Sequence, residues 1–517
     1  MSADGHLIIR ADASAQIGSG HVMRCLALAQ AWRKNERQAG ALHTRVIFIS
    51  ASLPVALERR IKDAHCEVVR IDAVPGSEAD AKQTSEIVCR QMLSGVRPLI
   101  SGLWLVVDGY HFGVAYQRIV CESGFRLLVI DDYAHQPIYQ ADILLNQNIH
   151  ADRLNYSVNP NAIRLWGPRY ALIRSEFLPW RNWKREMPSV ARKVLVTLGG
   201  ADNDNDTEKV MNALQSLDVD TRIVVGGLNP NFERLRSKVS CLSPHSSSYP
   251  LLQNVSDMPS LMAWADMAIL AGGSTCWEAC FMGLPMLNVV QAENQRGIVS
   301  GLAEEGAGVN LGEGRFINAT IIAEQIAALL KDIDRRALLS ASAQTLVDGN
   351  GTARLVACMQ AGKLKLRPVT IADADLLLLW ANDPETRSAS FSSGVIDAAE
   401  HRIWLFRRLA DASNRLFIAE DEDGMPVGHI RFELRESCAS VSINVAPQAR
   451  GRRLASLLIA AGTSAILRKD HPTRFEACIK CSNERSLRAF LVAGYRLAGS
   501  VKISGEKALR LILENNP

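Results

Sequence analysis

The strongest constraint in this sequence is a repeated alternation of short apolar runs with longer helical patterns. In the first 150 residues the runs are LIIRA, RVIFIS, LWLVVD and RLLVID, and a helical pattern extends from His21 to about Asn35. A second series comprises KVLVTLGG, TRIVVGG, a run at 251–255 and ADMAILAGG. Such alternation is typical of parallel sheets with crossover helices. The sequence therefore predicts an α/β fold with two Rossmann-like halves.

The pattern changes after a stretch at 360–364. The segments that follow include LFIAE, VGHIRFEL and ASVSINVAP, which alternate as antiparallel strands do and indicate an α+β domain. A chain of 517 residues also exceeds the size at which a single core usually stops growing. We therefore predict three domains, at 1–165, 166–358 and 363–517.

The composition is that of an ordinary globular protein, with 48% hydrophobic and 22% charged residues. A formal net charge of +4 is too small to indicate a nucleic-acid partner. The sequence has neither a signal-peptide pattern nor an apolar run of roughly 18 residues, so we expect a cytoplasmic protein without a membrane partner. Its 11 cysteines are expected to be reduced, and Cys478 and Cys481 lack a second pair at a zinc-ribbon spacing.

The first candidate site is the loop that joins the first strand to the first helix. It contains Gly18 and Gly20 directly before His21. The two glycines would let the backbone approach a ligand, and the helix N-terminus would direct N–H groups toward a diphosphate. His21 could act there as a neutral general base, or it could merely cap the helix or bind phosphate.

Two further glycine loops occur in the second half. LGGAD places Gly200 after one predicted strand, and GGSTCWE places Ser274 between another strand and a helix. Open α/β sheets bind ligands at the carboxyl ends of their strands. The loops of the two halves therefore predict a cleft that holds phosphate from both sides.

The ordered motifs of this region resemble a family of nucleotide-sugar hydrolases. They are RADASAQIGSGHVMR, VVDGYH, IDDY, ILLNQN, YALIRSEF, LGGAD, GGSTCWEACFMGLP and ENQ, spread over residues 7 to 355. The family removes UDP from UDP-2,4-diacetamido-2,4,6-trideoxy-β-L-altropyranose in pseudaminic acid synthesis. The resemblance implies a glycosyltransferase-B type fold, similar to that of the enzyme that adds N-acetylglucosamine in peptidoglycan synthesis.

The resemblance also implies roles for particular residues. His21 would activate the water that attacks the anomeric carbon, and Tyr110 would lie beside the sugar. Arg174, Glu278 and Asn294 would contact the UDP-sugar, with Glu278 a candidate for the ribose hydroxyls.

We expect this chemistry to proceed without a metal. UDP is a good leaving group, and helix N-termini and backbone N–H groups can hold the charge that develops on its phosphate. The nearest carboxylate pair is Asp131 and Asp132, but adjacent residues at the end of a strand point to opposite faces. A shared metal ion is therefore not predicted there.

The C-terminal domain contains a second candidate nucleotide site. Val445 ends a predicted strand, and a loop with Arg450 and Gly451 leads into a helix whose N–H groups could cradle a pyrophosphate. About 30 residues later, Asn483 begins a polar helix start that ends at a glycine. Two ordinary capped helices with a basic face are the alternative.

Together these segments resemble the GNAT acetyltransferases, whose R-x-x-G-x-G/A loop holds the pyrophosphate of acetyl-CoA. The resemblance implies acetyl-CoA contacts for Val445, Arg450, Gly451, Arg453, Ala455 and Asn483. Arg453 departs from the motif because it occupies the position of the middle glycine. Phe490 occupies the position of the tyrosine that many GNAT enzymes use as an acid, and it cannot donate a proton.

The remaining expectations concern the acceptor and the rival functions. His429 and Glu433 are candidates for taking the proton of the attacking amine, or are simply strand residues. The resemblance implies that a UDP-4-amino sugar is acetylated immediately before UDP is removed, so the fusion would join consecutive steps. A glycosyltransferase is the alternative for the first part, and a protein acetyltransferase or a degenerate binding module is the alternative for the second.

Overall fold

The computed structural model of the chain describes residues 5–38, 44–92, 103–159, 162–200, 202, 204–227, 229–242, 250–253, 255–361, 364–421, 423–452, 454–470 and 472–514. The chain divides into two compact units. One holds the two doubly wound sheets and comprises Ala3–Lys34 and Leu42–Thr352. The other holds the residues from Ala353 onward together with the end of the first helix. No helix in the described ranges is long and apolar enough to cross a membrane.

The first sheet is parallel, and its first four strands are each followed by a crossover helix. Its strands are β1 (Leu7–Ala11), β2 (Val46–Ser50), β3 (Glu67–Arg70), β4 (Trp104–Asp108), β5 (Arg126–Ile130), β6 (Ile143–Asn146) and β7 (Ile163–Trp166). Its helices are α1 (Gly20–Gln38), α2 (Val55–Asp63), α3 (Glu78–Met92) and α4 (Val114–Glu122). The strand order is β3-β2-β1-β4-β5-β6-β7. The central strands are buried along their whole length, as expected for a sheet that is covered on both faces.

The second sheet repeats this arrangement. Its strands are β8 (Lys193–Thr197), β9 (Asp220–Val225), β10 (Leu251–Gln253), β11 (Met267–Ala271), β12 (Met286–Val290) and β13 (Val309–Glu313). Its helices are α5 (Asp206–Leu214), α6 (Phe232–Leu242), α7 (Met258–Trp264), α8 (Thr275–Phe281), α9 (Glu293–Glu304), α10 (Ala319–Lys331) and α11 (Ile333–Leu346). The next helix, α12 (Gly351–Gln360), lies from Ala353 onward in the other unit. The strand order is β10-β9-β8-β11-β12-β13. In both sheets the order reverses beside the first strand, between β1 and β4 and between β8 and β11, where such sheets bind ligands.

The third sheet is antiparallel except at one strand pair. Its strands are β14 (Lys365–Pro368), β15 (Asn414–Glu420), β16 (Pro426–Arg435), β17 (Cys438–Val445), β18 (Arg474–Lys480), β19 (Arg496–Ile503) and β20 (Glu506–Glu514). Its helices are α13 (Ala374–Ala381), α14 (Pro384–Ala389), α15 (Ala398–Ala410), α16 (Leu454–Lys469) and α17 (Glu484–Val492). The strand order is β14-β15-β16-β17-β18-β20-β19, with β17 and β18 parallel.

The predicted fold class is confirmed, and small differences concern element ends. The run expected at 251–255 forms a strand only over Leu251–Gln253, and residue 254 lies outside the described residues. The polar segment 348–355, expected to end the second half, is helical from Gly351 because apolar residues follow that glycine. The stretch at 360–364 falls between α12 and β14, and residues 362–363 lie outside the described residues.

Candidate active sites

A cleft of about 1300 Å³ lies between the two doubly wound sheets. The residues that the sequence assigns to the UDP-sugar all line it: Gly18, Gly20, His21, Tyr110, Arg174, Gly200, Ser274, Glu278 and Asn294. They come from both halves and from segments up to 276 residues apart in the chain, counting from Gly18 to Asn294. The fold therefore brings these predicted residues to one place.

The glycine loops of the two halves approach each other closely at this cleft. A Cβ atom on Gly200 would lie 3.1 Å from Oγ of Ser19, and one on Gly226 would lie 2.5 Å from the backbone of Gly200. Gly18 has a φ of +79°, a conformation that glycine adopts without strain. A side chain at Gly226 would therefore force the backbone at Gly200 to move.

His21 lies at the start of α1, and a carboxylate at the end of β4 holds its ring. Nδ1 of His21 lies 2.6 Å from Oδ1 of Asp108, whose side chain is fully buried. A ring nitrogen this close to a carboxylate oxygen requires a proton between them, so Nδ1 carries the hydrogen and donates it to Asp108. Nε2 of the neutral ring is then the proton acceptor, in a residue that lines the cleft.

Arg24, one turn further along α1, connects this pair to a second carboxylate. Its guanidinium donates to Asp108 from Nε and Nη2, both at 2.7 Å, and to Asp132 from Nη1 at 2.8 Å. Asn148 also donates to Asp132, at 2.8 Å. With a neutral His21 this cluster carries one net negative charge.

The charges in this cluster are fixed at neutral pH. Burial alone would raise the pKa of Asp108, but Arg24 and His21 outweigh it and hold that pKa below its usual value. Burial likewise opposes ionisation of Asp132, and Arg24 again prevails and holds that pKa well below its usual range. Burial and the nearby Asp132 raise the pKa of Tyr110, so its hydroxyl remains a hydrogen-bond donor.

Tyr110 connects the two halves across the cleft. Its hydroxyl donates to Asp132 at 2.8 Å and accepts from Nδ2 of Asn294, on α9 of the second half, at 2.7 Å. Its ring meets the ring of His21 edge to face, with centroids 5.0 Å apart. Asn294, which the sequence predicts to contact the substrate, thus contacts Tyr110, the residue whose ring packs against His21.

A chain of alternating charges also crosses the cleft. Arg174 forms a two-pronged ion pair with Glu278, with Nε to Oε1 at 2.5 Å and Nη2 to Oε2 at 2.8 Å. Nη1 of Arg174 lies 3.2 Å from Glu176, which accepts from Arg60 of α2 at 2.6 Å. Both carboxylate oxygens of Glu278 are therefore engaged, and only their second lone pairs remain for a ribose hydroxyl.

The sequence reasoning missed Asp108, Arg24 and Asp132 as site residues. A signal was present, because Asp108 ends β4 and Asp132 follows β5, and these strands are neighbours whose carboxyl ends meet at one edge. Arg24 is three residues after His21 and so lies on the same face of α1. The ion pairs among them become visible only once the strands are placed side by side.

The two adjacent carboxylates at the end of β5 point to different partners. Asp131 accepts from the hydroxyl of Tyr156 at 2.7 Å and lies 2.7 Å from Nδ1 of His135, whereas Asp132 faces Arg24. Among the described residues there is no group of three or more His, Cys, Asp or Glu side chains that could hold a metal ion.

The C-terminal sheet opens between β17 and β18. These strands pair only from Cys438–Ser440 to Arg474–Glu476, while β17 continues along β16 as far as Val445. Backbone groups that face the opening therefore lack a strand partner there in the described part of the sheet. Val445, expected at acetyl-CoA, lies at the open end.

The loop after β17 leads to the start of α16. Gly451 has a φ of +80°, and a Cβ atom there would meet nothing within 4 Å. Ala455 lies in the first turn of α16, whose backbone N–H groups have no partner within the helix. Arg453, also assigned to this loop, lies outside the described residues.

Two of the other assigned side chains have protein partners in this structure. Nη2 of Arg450 donates to Asp383 at 2.5 Å, and Nη1 donates to Glu385 at 3.1 Å, both at the start of α14. Asn483 accepts from the backbone N–H of Ser486 at 3.1 Å and so caps α17. Arg450 is thus paired with two carboxylates, and the side chain of Asn483 is engaged in a helix cap.

The acid and base candidates differ in their placement. Phe490 is buried against the ring of Tyr495, with centroids 4.9 Å apart. Glu433 is bound by Arg408 and Arg435, at the end of β16 away from the opening. His429 pairs in register with Asn444, beside the opening. Placement therefore favours His429 over Glu433.

Two families of known proteins match separate parts of the chain. Residues 195–351 match the family described as glycosyltransferase family 28 C-terminal domain, and residues 363–496 match the family described as acetyltransferase (GNAT) domain. The chain is 27% identical over 249 residues to the spore coat polysaccharide biosynthesis protein SpsG of Bacillus subtilis, covering 47% of this chain and 72% of that protein.

A second relative carries a defined activity in its name. The UDP-2,4-diacetamido-2,4,6-trideoxy-beta-L-altropyranose hydrolase of Campylobacter jejuni is 24% identical over 303 residues, covering 58% of this chain and 97% of that protein. Among solved structures, MurG of Acinetobacter baumannii aligns with 17% identity and a TM-score of 0.48, covering 69% of this chain and 99% of that one.

Proposed function

Since the chain joins a segment homologous to this UDP-sugar hydrolase to a GNAT domain, we propose that it catalyses two reactions on one nucleotide sugar. The first is hydrolysis of UDP-2,4-diacetamido-2,4,6-trideoxy-β-L-altropyranose in the cleft between the two doubly wound halves. The observation that carries this proposal is the buried His21–Asp108 pair beside the glycine loops, 2.6 Å apart. It is the pairing that a general base needs for its orientation.

In the proposed reaction a water molecule attacks the anomeric carbon of the sugar. The new C–O bond forms as the bond from that carbon to the UDP oxygen breaks, and UDP leaves with the electron pair. Nε2 of His21 takes the proton from the water. Asp108 stabilises the imidazolium, and the N–H groups of the loop at Gly18 and Gly20 stabilise the charge that develops on the leaving diphosphate.

The test is product analysis with the purified chain and the acetylated UDP-sugar in ¹⁸O-labelled water. We expect UDP and the free sugar, with the label in the anomeric hydroxyl of the sugar. The His21→Asn variant should lose UDP release by roughly 10² to 10⁴-fold. A label found in UDP, or wild-type rates in His21→Asn, would contradict the proposed role of His21.

A glycosyltransferase is the second candidate, because residues 195–351 match a glycosyltransferase family. Such an enzyme would pass the sugar to an acceptor hydroxyl and would release little free sugar without it. Release of UDP and free sugar at equal rates, with no acceptor present, would exclude this candidate for the tested substrate.

The second proposed reaction is acetylation of the UDP-4-amino sugar that precedes the hydrolase substrate. The GNAT match and the opening between β17 and β18 support acetyl-CoA as the donor. The amine nitrogen attacks the acetyl carbonyl carbon, the C–S bond breaks, and CoA leaves as the thiolate. His429 lies beside the opening, but burial lowers its pKa to about 3, so the amine proton passes to solvent water. The thiolate is protonated from solvent because Phe490 cannot donate.

The two reactions would be consecutive, because the product of the acetylation is the substrate of the hydrolysis. We propose the cytoplasm as their compartment, where acetyl-CoA and nucleotide sugars are made. Incubation of the chain with the UDP-4-amino sugar should give no free sugar until acetyl-CoA is added, followed by the diacetamido sugar and UDP. Acetylation of ribosomal peptides in place of the sugar would contradict the proposal.

A further inference from the structure

The two faces of β16 differ in their neighbours, and the face of His429 and Arg431 is apolar at β15, where Ile418 and Leu416 pair with them and are buried. Ile430 and Phe432 of β16 are buried, and both lie against Gly462 of α16. Because successive side chains of a strand point to opposite faces, His429 and Arg431 lie on the other face. The pyrophosphate loop leads into α16, so His429 and Arg431 are on the face opposite to the proposed acetyl-CoA phosphates.

This second face has a polar floor on β17 that is exposed at Ser440 and Ser442 and is bordered by α13 at Asn444, which donates to the backbone carbonyl of Trp380 at 3.1 Å. Ser442 pairs in register with Arg431, and Asn444 pairs with His429. Because Ser440 and Ser442 are exposed, no described helix covers the sheet at these two residues. The floor leads to the opening between β17 and β18. An amine that lies on it would therefore reach the thioester from the side away from α16.

The guanidinium of Arg431 borders this floor. It lies on the ring of Trp404, 5.4 Å from the centroid, and within the described residues it forms no ion pair or hydrogen bond. The nearby carboxylate of Glu433 is already bound by Arg408 at 3.2 Å and Arg435 at 2.6 Å. Burial lowers the pKa of Arg431, and Arg408 lowers it further. The floor thus has a half-buried cation whose neighbouring carboxylate, Glu433, is bound by two other arginines.

We infer that Arg431 binds the diphosphate of a nucleotide-linked amino sugar when that sugar is the acetyl acceptor, with Trp404 as the apolar wall beside it. The inference rests on the acetyltransferase function proposed above and names its specificity-determining residue. A guanidinium binds phosphate oxygens through parallel N–H donors, and a cation without a partner gains most from such an anion.

The position of Arg431 fits this role. It lies two residues, or about 7 Å, along β16 from His429 at the level of the opening. A sugar ring can bridge that interval, with its amine at the opening and its diphosphate at the guanidinium. The same positive charge would repel a polycationic acceptor, so this face selects nucleotide sugars over cationic amines.

The test compares two acceptors in the full chain: the UDP-4-amino sugar and the same amino sugar without UDP. The measured quantity is the initial rate of CoA formation at saturating acetyl-CoA, so later hydrolysis of the product does not interfere. The wild type should prefer the UDP-linked sugar. Arg431→Gln should raise the KM for that sugar by about tenfold to a hundredfold, and should leave the KM for acetyl-CoA and the rate with the unlinked sugar unchanged.

Arg435→Gln is the matched control, because Arg435 lies on the same strand but is exposed and paired with Glu433. It should keep the wild-type preference. If Arg431→Gln keeps that preference, or impairs both acceptors equally, the role of Arg431 is wrong while the proposed acetylation stands. If the wild type acetylates neither sugar, the proposed acetylation fails and this inference fails with it.

Discussion

The Asp108→Asn substitution is the sharpest test of how the hydrolase site works. The carboxylate of Asp108 accepts the hydrogen of His21 Nδ1 at 2.6 Å and two hydrogen bonds from Arg24. An asparagine that presents its amide N–H to the ring would favour the tautomer with the hydrogen on Nε2. His21 would then have no lone pair toward the water, although its position would be unchanged.

The expected loss follows from the role of the removed group. General-base catalysis contributes roughly 10² to 10⁴ in rate, which is about 2.7 to 5.5 kcal/mol in activation free energy. We therefore expect kcat for UDP release to fall by that factor with little change in KM, because the interaction acts mainly in the transition state. Acetylation by the same chain should be unaffected and serves as an internal control of integrity.

Asp132→Asn is the matched control for the loss of a buried charge. The substitution removes the other carboxylate partner of Arg24. Asp132 forms no described hydrogen bond with the ring of His21. Both variants should lose stability, by about 3 to 5 kcal/mol from breaking a buried ion pair, measured by urea unfolding. Only Asp108→Asn should lose most of its kcat. A folded Asp108→Asn enzyme within threefold of wild type, or an equal kcat loss in Asp132→Asn, would refute the reasoning.

Three further outcomes are expected. Glu278→Ala should mainly raise the KM for the UDP-sugar in steady-state assays, since a binding carboxylate acts on ground and transition states alike; a fall in kcat alone would place it in the chemical step. Burial, together with Arg431 and His401, lowers the pKa of His429 to about 3, so the unfolded chain binds a proton below about pH 6.5 that the folded chain does not. Urea unfolding of the acetyltransferase unit should therefore show stability falling by up to about 1.4 kcal/mol per pH unit from pH 6.5 downward, and His429→Asn should flatten that slope. Finally, a fragment that begins at Ala353 should have a higher Tm than one that begins at 361, because Ala357 belongs to the apolar core of that unit and Arg354 donates to the backbone of Leu491 at 3.1 Å; equal melting would show that α12 adds nothing.

The sequence by itself determined the elements and the loops. Apolar runs of four to six residues in the two doubly wound halves are strands there because their side chains are covered on both faces of a parallel sheet. The position of His21 at a helix start also follows from local order, since two glycines precede a helical pattern. Likewise, the loop after Val445 and the start of α16 were predicted from residues that are adjacent in the chain.

Only the tertiary structure decided which side chains meet. Asp108 is 87 residues from His21, and Glu278 is 104 residues from Arg174. The first contact depends on β1 pairing with β4, which is distant in the chain. The second depends on the approach of the two halves at the cleft. The partner of Arg450 at α14, and the lack of one at Arg431 among the described residues, have the same origin. Ion pairs form between groups that the fold brings within a few ångströms, and local periodicity carries no information about distances across the sheet.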